Sequence, residues 1–270
     1  MGSIATSLNS YRKFLESIPL QELGEETRPV KTVEPDWRED LNLNIWKTIY
    51  TNYWEKGNFL SFDKWFGILW AKLESGEILK EFEEYCEAFL KYYRKNQWRT
   101  LTDDWFKTGF RARLFRLWTS ALTQLDFCYV FMYICEKQDK EMSLQANAEL
   151  DARGVNLRVG ALDFQIAKIS ERSEARRGRP SKVKIDVPYP VWNLQELERL
   201  SQSTRVSLIN QQRYKNQLNA FHKYFLLLNN GFVVFSEHYV EQVVSNLSNP
   251  EKLKAVIERL LAELSGEYAR

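Results

Sequence analysis

A chain of 270 residues can bury one large core or two modest ones, and its 44% hydrophobic and 14% aromatic content exclude a disordered segment. The net charge of +2 is close to balance, so affinity for a polyanion has to come from local patches rather than from the overall field. Cys86, Cys128 and Cys135 show no metal-ligand spacing and read as reduced core residues. His222 and His238 are too few and too scattered for a zinc site.

Met1-Gly2-Ser3 is a polar start without a basic and then apolar run, so no secretory signal is expected. The most apolar stretch, residues 117–135, contains Gln124 and Asp126, which suits a buried helix better than a membrane span. A cytoplasmic protein with no membrane partner is the expectation.

From about residue 7 to 150 the pattern is helical. Tyr11, Phe14 and Leu15 recur at helical spacing, as do Ile45, Ile49 and Tyr53, and residues 62–73 and 78–93 continue the theme. Asp103 and Asp104 are candidate caps for a long helix running towards Glu136. Trp46, Trp54, Trp65, Trp70, Trp98, Trp105 and Trp118 all fall in this region. Such side chains can stack on bases, but aromatic rows at helical spacing usually fill a core, and packing is the reading adopted.

Residues 151–170 change character. Val155, Leu157 and Val159 alternate with Asn156 and Arg158, and Leu162, Phe164 and Ile166 alternate with Asp163 and Gln165. A two-residue turn at Gly160-Ala161 pairs Val159 with Leu162 and Leu157 with Phe164. Arg158 then faces Asp163, and Asn156 faces Gln165, on one side of the sheet. Asp151 precedes this hairpin and Lys168 closes it. The bland reading of Arg158 and Asp163 is an ordinary cross-strand ion pair, and the composition of the segment stands against it. Acids beside positive charge also suit a metal-dependent phosphodiesterase, in which carboxylates hold a divalent cation and cations hold a polyanion.

The positive charge lies in residues 171–184, where Arg172, Arg176, Arg177, Arg179, Lys182 and Lys184 outweigh Glu171 and Glu174. Gly178 and Pro180 keep the middle of this segment non-helical. A solvated loop is the bland reading. Next to a carboxylate hairpin, contact with DNA is the better one, because arginine forks match phosphates and guanine edges. Pro188 and Pro190 make residues 187–191 an extended connector, and Asn193 caps a helix through Leu200. Gln211, Gln212, Arg213, Lys215, Asn216, Gln217 and Asn219 form either a base-reading cluster or an exposed polar helix face. Asn229-Asn230-Gly231 turns the chain into a strand at residues 232–235, and an amphipathic helix over 251–264 ends it.

The run Gly154-Val155-Asn156-Leu157, the hairpin, then Asp163-Phe164-Gln165 and Lys168, resembles the two halves of the PD-(D/E)XK nuclease motif. Arg28-Pro29-Val30-Lys31-Thr32-Val33-Glu34, with Tyr53-Trp54 and Leu60-Ser61, resembles the start of the TaqI family of type II restriction endonucleases. The likeness runs from about residue 10 through the hairpin. It implies a bacterial Mg²⁺-dependent endonuclease that cuts a short palindrome, TCGA in the best-known members. It also implies a companion DNA methyltransferase in the same system that forms no stable complex with it.

Carried over, the resemblance makes Asn156, Asp163, Gln165, Lys168 and Asp151 the catalytic candidates and Asp163, Asp151 and Asn156 the metal ligands. Gln165 or Lys168 would orient the attacking water. Arg158 joins Arg172, Arg176, Arg177, Arg179, Lys182 and Lys184 as candidate DNA contacts. Asn156 departs from the pattern, which has an Asp there, and an uncharged amide is a poor substitute on a hard cation. Position 156 is then a deliberate substitution made to hold uncut DNA, or Asp151 is the true first acid, or activity has been lost naturally.

The expected fold is α/β: a PD-(D/E)XK-like small mixed sheet with a large helical N-terminal region. Residues 1–150 form the helical part, 151–190 the motif hairpin and basic loop, and 191–270 a C-terminal mixed region packed with them as one catalytic unit. Double-stranded DNA is the expected partner, bound by a homodimer, since two strands need two sites related by a two-fold axis. A nuclease-fold protein that binds DNA without cutting, and a helical interaction or RNA-associated protein, are the alternatives.

Overall fold

A computed structural model describes residues 4–27, 39–75, 103–169 and 184–266. Helix α1 (Ile4–Glu16) and helix α2 (Leu20–Thr27) lie against α5 (Asp103–Lys137), the long helix at the centre of the molecule. Between them in sequence come α3 (Glu39–Ile49), a π-helical turn (Tyr50–Glu55) and α4 (Phe62–Glu74). Helix α5 is apolar on more than one face because it is covered on more than one side: Phe110, Leu114, Trp118, Leu122, Phe127 and Phe131 are all buried. Its contacts run to α1 on one side and to the strands and C-terminal helices on another. The expected helix from Asp103 to Glu136 is therefore present, and among the described residues no helix is long and apolar enough to cross a membrane.

At its middle Asp126 is fully buried. Arg12 of α1 donates to it through Nε at 3.0 Å, and the backbone N–H of Phe235 donates to its other oxygen at 2.8 Å. Arg12 also donates to the Phe235 carbonyl at 2.6 Å, so one ion pair ties together the first helix, the central helix and a late strand. Burial still pushes the Asp126 carboxyl upward against the pull of Arg12.

Trp118 and Trp65, in the N-terminal half, are packing residues. Trp118 donates to Tyr53 Oη at 2.9 Å, Trp65 donates to Thr48 Oγ1 at 3.0 Å, and both are buried. Trp98, Cys86 and the helix expected over 78–93 lie outside the described residues. Cys128 and Cys135 are free and buried, as expected.

The sheet follows α5. Strand β1 (Leu144–Gln145), the single turn α6 (Ala148–Asp151), β2 (Leu157–Val159), β3 (Leu162–Lys168) and β4 (Lys184–Tyr189) form one four-stranded sheet in the order β1-β2-β3-β4. β1, β2 and β3 are antiparallel neighbours, while β4 runs parallel to β3. The hairpin register is the expected one: Leu157 pairs with Phe164, Arg158 with Asp163 and Val159 with Leu162. Gly160 takes φ 57° at the turn, the left-handed conformation that a two-residue hairpin needs and glycine adopts without strain.

One expectation is corrected here. Residues 187–190 are not a mere connector, because Val187, Pro188 and Tyr189 belong to β4 and pair with β3. Proline lacks an N–H to donate, but β4 is the outermost strand, so Pro188 leaves no neighbour unserved.

Helix α7 (Leu194–Gln202) is capped by Asn193, whose side chain accepts from Glu196 N–H, as expected. Helix α8 (Leu208–Tyr224) packs on α7 and leads into a hairpin of β5 (Phe225–Leu227) and β6 (Val233–Phe235), with Gly231 at φ 87° in the turn. Helices α9 (Glu237–Val244) and α10 (Pro250–Ser265) complete the chain. A continuous apolar cluster runs through these parts, from Leu8 to Leu264.

Candidate active site

Just ahead of β2, the chain turns at Gly154 (φ 73°) and delivers Asn156 to the inside of the molecule. The β2–β3 ladder begins at Leu157, so Asn156 stands outside it rather than facing Gln165 within it. Its backbone N–H donates to the Phe164 carbonyl at 2.9 Å. Its side-chain oxygen accepts the Ile166 N–H at 2.6 Å, taking the place of a ladder carbonyl where β2 has not yet started. The remaining half of the amide points to α6: Asn156 Nδ2 donates to Asp151 Oδ1 at 3.0 Å.

Asp151 closes α6 and receives a second donor. Tyr50 Oη, from the π-helical turn, donates to Asp151 Oδ2 at 3.3 Å. In the π-helical turn, where Lys56 N–H donates to the Thr51 carbonyl at 3.1 Å, Tyr50 and Tyr53 are both buried. With a phenol and an amide as its partners, burial pushes the Asp151 carboxyl up to about 8, the hydrogen bond from Tyr50 opposing only part of that rise. The Tyr50 hydroxyl is itself raised well above its usual range, first by burial and then by the nearby Asp151.

Asp163 has a different surrounding. Arg158 holds it with two parallel bonds, Nε to Oδ1 at 2.6 Å and Nη2 to Oδ2 at 2.9 Å. Asp163 is buried while Arg158 keeps about a third of its side chain exposed. The Asp163 bond holds the Arg158 guanidinium above its ordinary pKa. This is the cross-strand fork that strand alternation places on the polar face.

Gln165 lies on that same face, half-buried, and its partner across the parallel ladder is Asp186. Asp186 was missed in the sequence, although Ile185, Val187 and Tyr189 alternate around it and are buried. Tyr50 was missed as well, and no local signal could have found it, since it meets Asp151 across 101 positions of chain.

Lys168 is not brought to this group. It shares the parity of Leu162, Phe164 and Ile166, so it points to the opposite face of β3, where it lines a cavity with residues of α5. Arg172, Arg176, Arg177, Arg179 and Lys182 lie outside the described residues. Lys184 opens β4, its backbone paired with Asp163.

The residues present do not fit a hard divalent cation. Asn156 offers Asp151 a donor instead of a second anion, and its oxygen is already engaged by Ile166. Both oxygens of Asp151 accept from Asn156 and Tyr50, and both oxygens of Asp163 accept from Arg158. Among the described residues no group of three or more His, Cys, Asp and Glu side chains could hold a metal.

The polar cluster of α8 is largely committed to structure. Gln211 donates to the carbonyls of Ser203 and Val206, each at 2.9 Å, and Gln212 donates to Asn216 at 3.0 Å. Arg213 donates to the Ser265 carbonyl at 3.0 Å, closing the end of α10.

Comparison with known proteins gives the family. A family model described as TaqI restriction endonuclease matches residues 8–247. The type II restriction enzyme TthHB8I of Thermus thermophilus is 32% identical over 250 residues, covering 87% of this chain and 86% of that enzyme. The type II restriction enzyme TaqI of Thermus aquaticus is 30% identical over 251 residues, covering 88% of this chain and 86% of that enzyme. No solved structure matches. With the match extending through α8, β6 and α9, well past the hairpin, the chain belongs to the TaqI family of restriction endonucleases.

Proposed function

We propose that this protein recognises a short palindrome in double-stranded DNA, TCGA-like, and that with Asn156 in place it binds that site while cleaving it poorly. The observation that carries this reading is the Asn156–Asp151 hydrogen bond. It sets an amide donor where a second carboxylate would have to stand, 3.0 Å from the one acid of the pair. Type II restriction endonucleases generally use a divalent metal. Replacing Asn156 by Asp would turn the pair into two facing carboxylates, which repel unless a proton or a cation lies between them, and Mg²⁺ is the cation proposed.

The PD-(D/E)XK core is the fold proposed for the sheet, supported by the β2–β3 hairpin and the parallel β4 beside it. Asp151 and position 156 are the proposed ligand pair. Gln165 lies on the polar face of β3 beside Asp163, suited to orienting water, a role for which Lys168 faces the wrong way. Arg172, Arg176, Arg177, Arg179, Lys182 and Lys184 are proposed to grip phosphates and base edges, with Arg158 limited by its bond to Asp163. A homodimer on DNA, a companion methyltransferase and a cytoplasmic location belong to the same reading.

Fluorescence anisotropy with a short TCGA duplex and a scrambled one, at several salt concentrations, tests it. The expected result is tighter binding to TCGA and a steep loss with salt, flattened when Arg176 and Arg177 are reversed to Glu. Equal, salt-insensitive binding of both duplexes would contradict it.

A further inference from the structure

Lys168 ends an otherwise apolar row. Leu162, Phe164 and Ile166 are buried against the core, and the next residue of that parity is a lysine. A lysine pointing into a dry core would be costly, but this one opens into a cavity of about 380 Å³. The same cavity is lined by Arg116, Thr119 and Ser120 of α5, whose spacing of three and four puts them on one helical face. Tyr189, from β4, shares a hydrogen bond of 2.9 Å with Ser120, and Trp192 forms part of the wall. The remaining lining is mostly apolar.

The two cations come from a helix and a strand, elements that hold a charge in place better than a loop does. The Lys168 ammonium and the guanidinium of Arg116, whose Nε and Nη2 are buried, line the same cavity, and two cations there suit the charge of a phosphate. The volume is several times what a phosphate alone requires, and the indole gives the rest of the space a flat aromatic surface. We propose that this cavity is a nucleotide-binding site, in which Arg116 and Lys168 hold the phosphate and Trp192 lies against the base. The nucleotide is either free in solution or one extruded from DNA. The site is reached from the face of β3 opposite Asp163 and does not depend on the cleavage reading above.

Isothermal titration of the full-length protein with deoxyadenosine 5′-monophosphate tests the proposal. Saturable binding is expected, with deoxyadenosine and inorganic phosphate each at least about tenfold weaker, since each keeps only half of the recognised groups. The Arg116→Gln/Lys168→Gln double variant should lose tenfold or more. Trp192→Leu should weaken the nucleotide and leave inorganic phosphate unchanged, which gives a second readout if the double variant does not fold. A further arm separates the two sources. If the nucleotide displaces a labelled duplex carrying a single-base bulge but not a fully paired one, the site takes an extruded nucleotide. If it displaces neither while still binding, the site takes a free one. No saturation at millimolar nucleotide, or equal affinity in a folded double variant, would overturn the proposal.

Discussion

Two acid-containing pairs five residues apart lie within a few residues of each other, and they have opposite chemistry. Arg158 and Asp163 face each other across the hairpin, and the acid there has a bidentate cation. Asp151 and Asn156 meet between α6 and the start of β2, and the acid there has an amide and a phenol. In the first pair one guanidinium donates to both carboxylate oxygens. The second has a carboxyl that is short of positive charge. An acid's identity therefore says little about what it can bind, because its partners decide whether it presents charge, and only the second pair has a deficit that a cation would relieve.

The sharpest way to use that difference is Asn156→Asp. Plasmid cleavage in Mg²⁺ is expected to rise by more than the roughly 10–100-fold that losing an outer partner of a metal costs, because a direct ligand is being restored. An unchanged rate would remove Asn156 from the site. Arg158→Met attacks the other pair by leaving Asp163 buried with its charge unmet. Urea unfolding should show a lower midpoint, and adding Asp163→Asn should recover much of the loss. A double variant no better than the single would mean that Asp163 owes its position to something else.

Smaller effects follow from the hairpin and from pH. Gly160→Ala puts a methyl on a residue at φ 57°, and should cost about 1–2 kcal/mol in the same urea measurement. Asp151 links stability to pH. Its folded value of about 8 lies above the unfolded value of roughly 4, so between the two the folded state keeps a proton that the unfolded chain has released. Its contribution is full below about pH 4 and declines as pH rises towards 8. Melting temperatures from pH 5 to 8 should therefore fall less steeply in Asp151→Asn than in the parent, and parallel curves would contradict the raised value.

Much of the hairpin was legible because alternation and a glycine turn are local. Counting by twos from Leu157 and Leu162 sets Arg158 opposite Asp163, as found. The same count places Lys168 on the apolar face, so its separation from Asp163 was readable from residue parity, although proximity in sequence to Gln165 suggested otherwise. Pro188 hid a strand, since proline's missing donor matters only where a neighbour needs it, and strand order is not a local property. Tyr50 was beyond reach. Its approach to Asp151 depends on packing between segments a hundred residues apart. The role of Asn156 as acceptor for Ile166 N–H likewise follows from β2 starting at Leu157, two residues after the alternation begins at Val155.

Calorimetric titration of Mg²⁺ into the parent protein and its Asn156→Asp form at pH 7 bears most directly on the claim that an amide blocks this site. The parent should take up no Mg²⁺ at low millimolar concentration, while Asn156→Asp should bind it and release a proton as its paired carboxyls lose the one they share. Equal Mg²⁺ affinity in the two proteins would place the metal elsewhere and contradict the account.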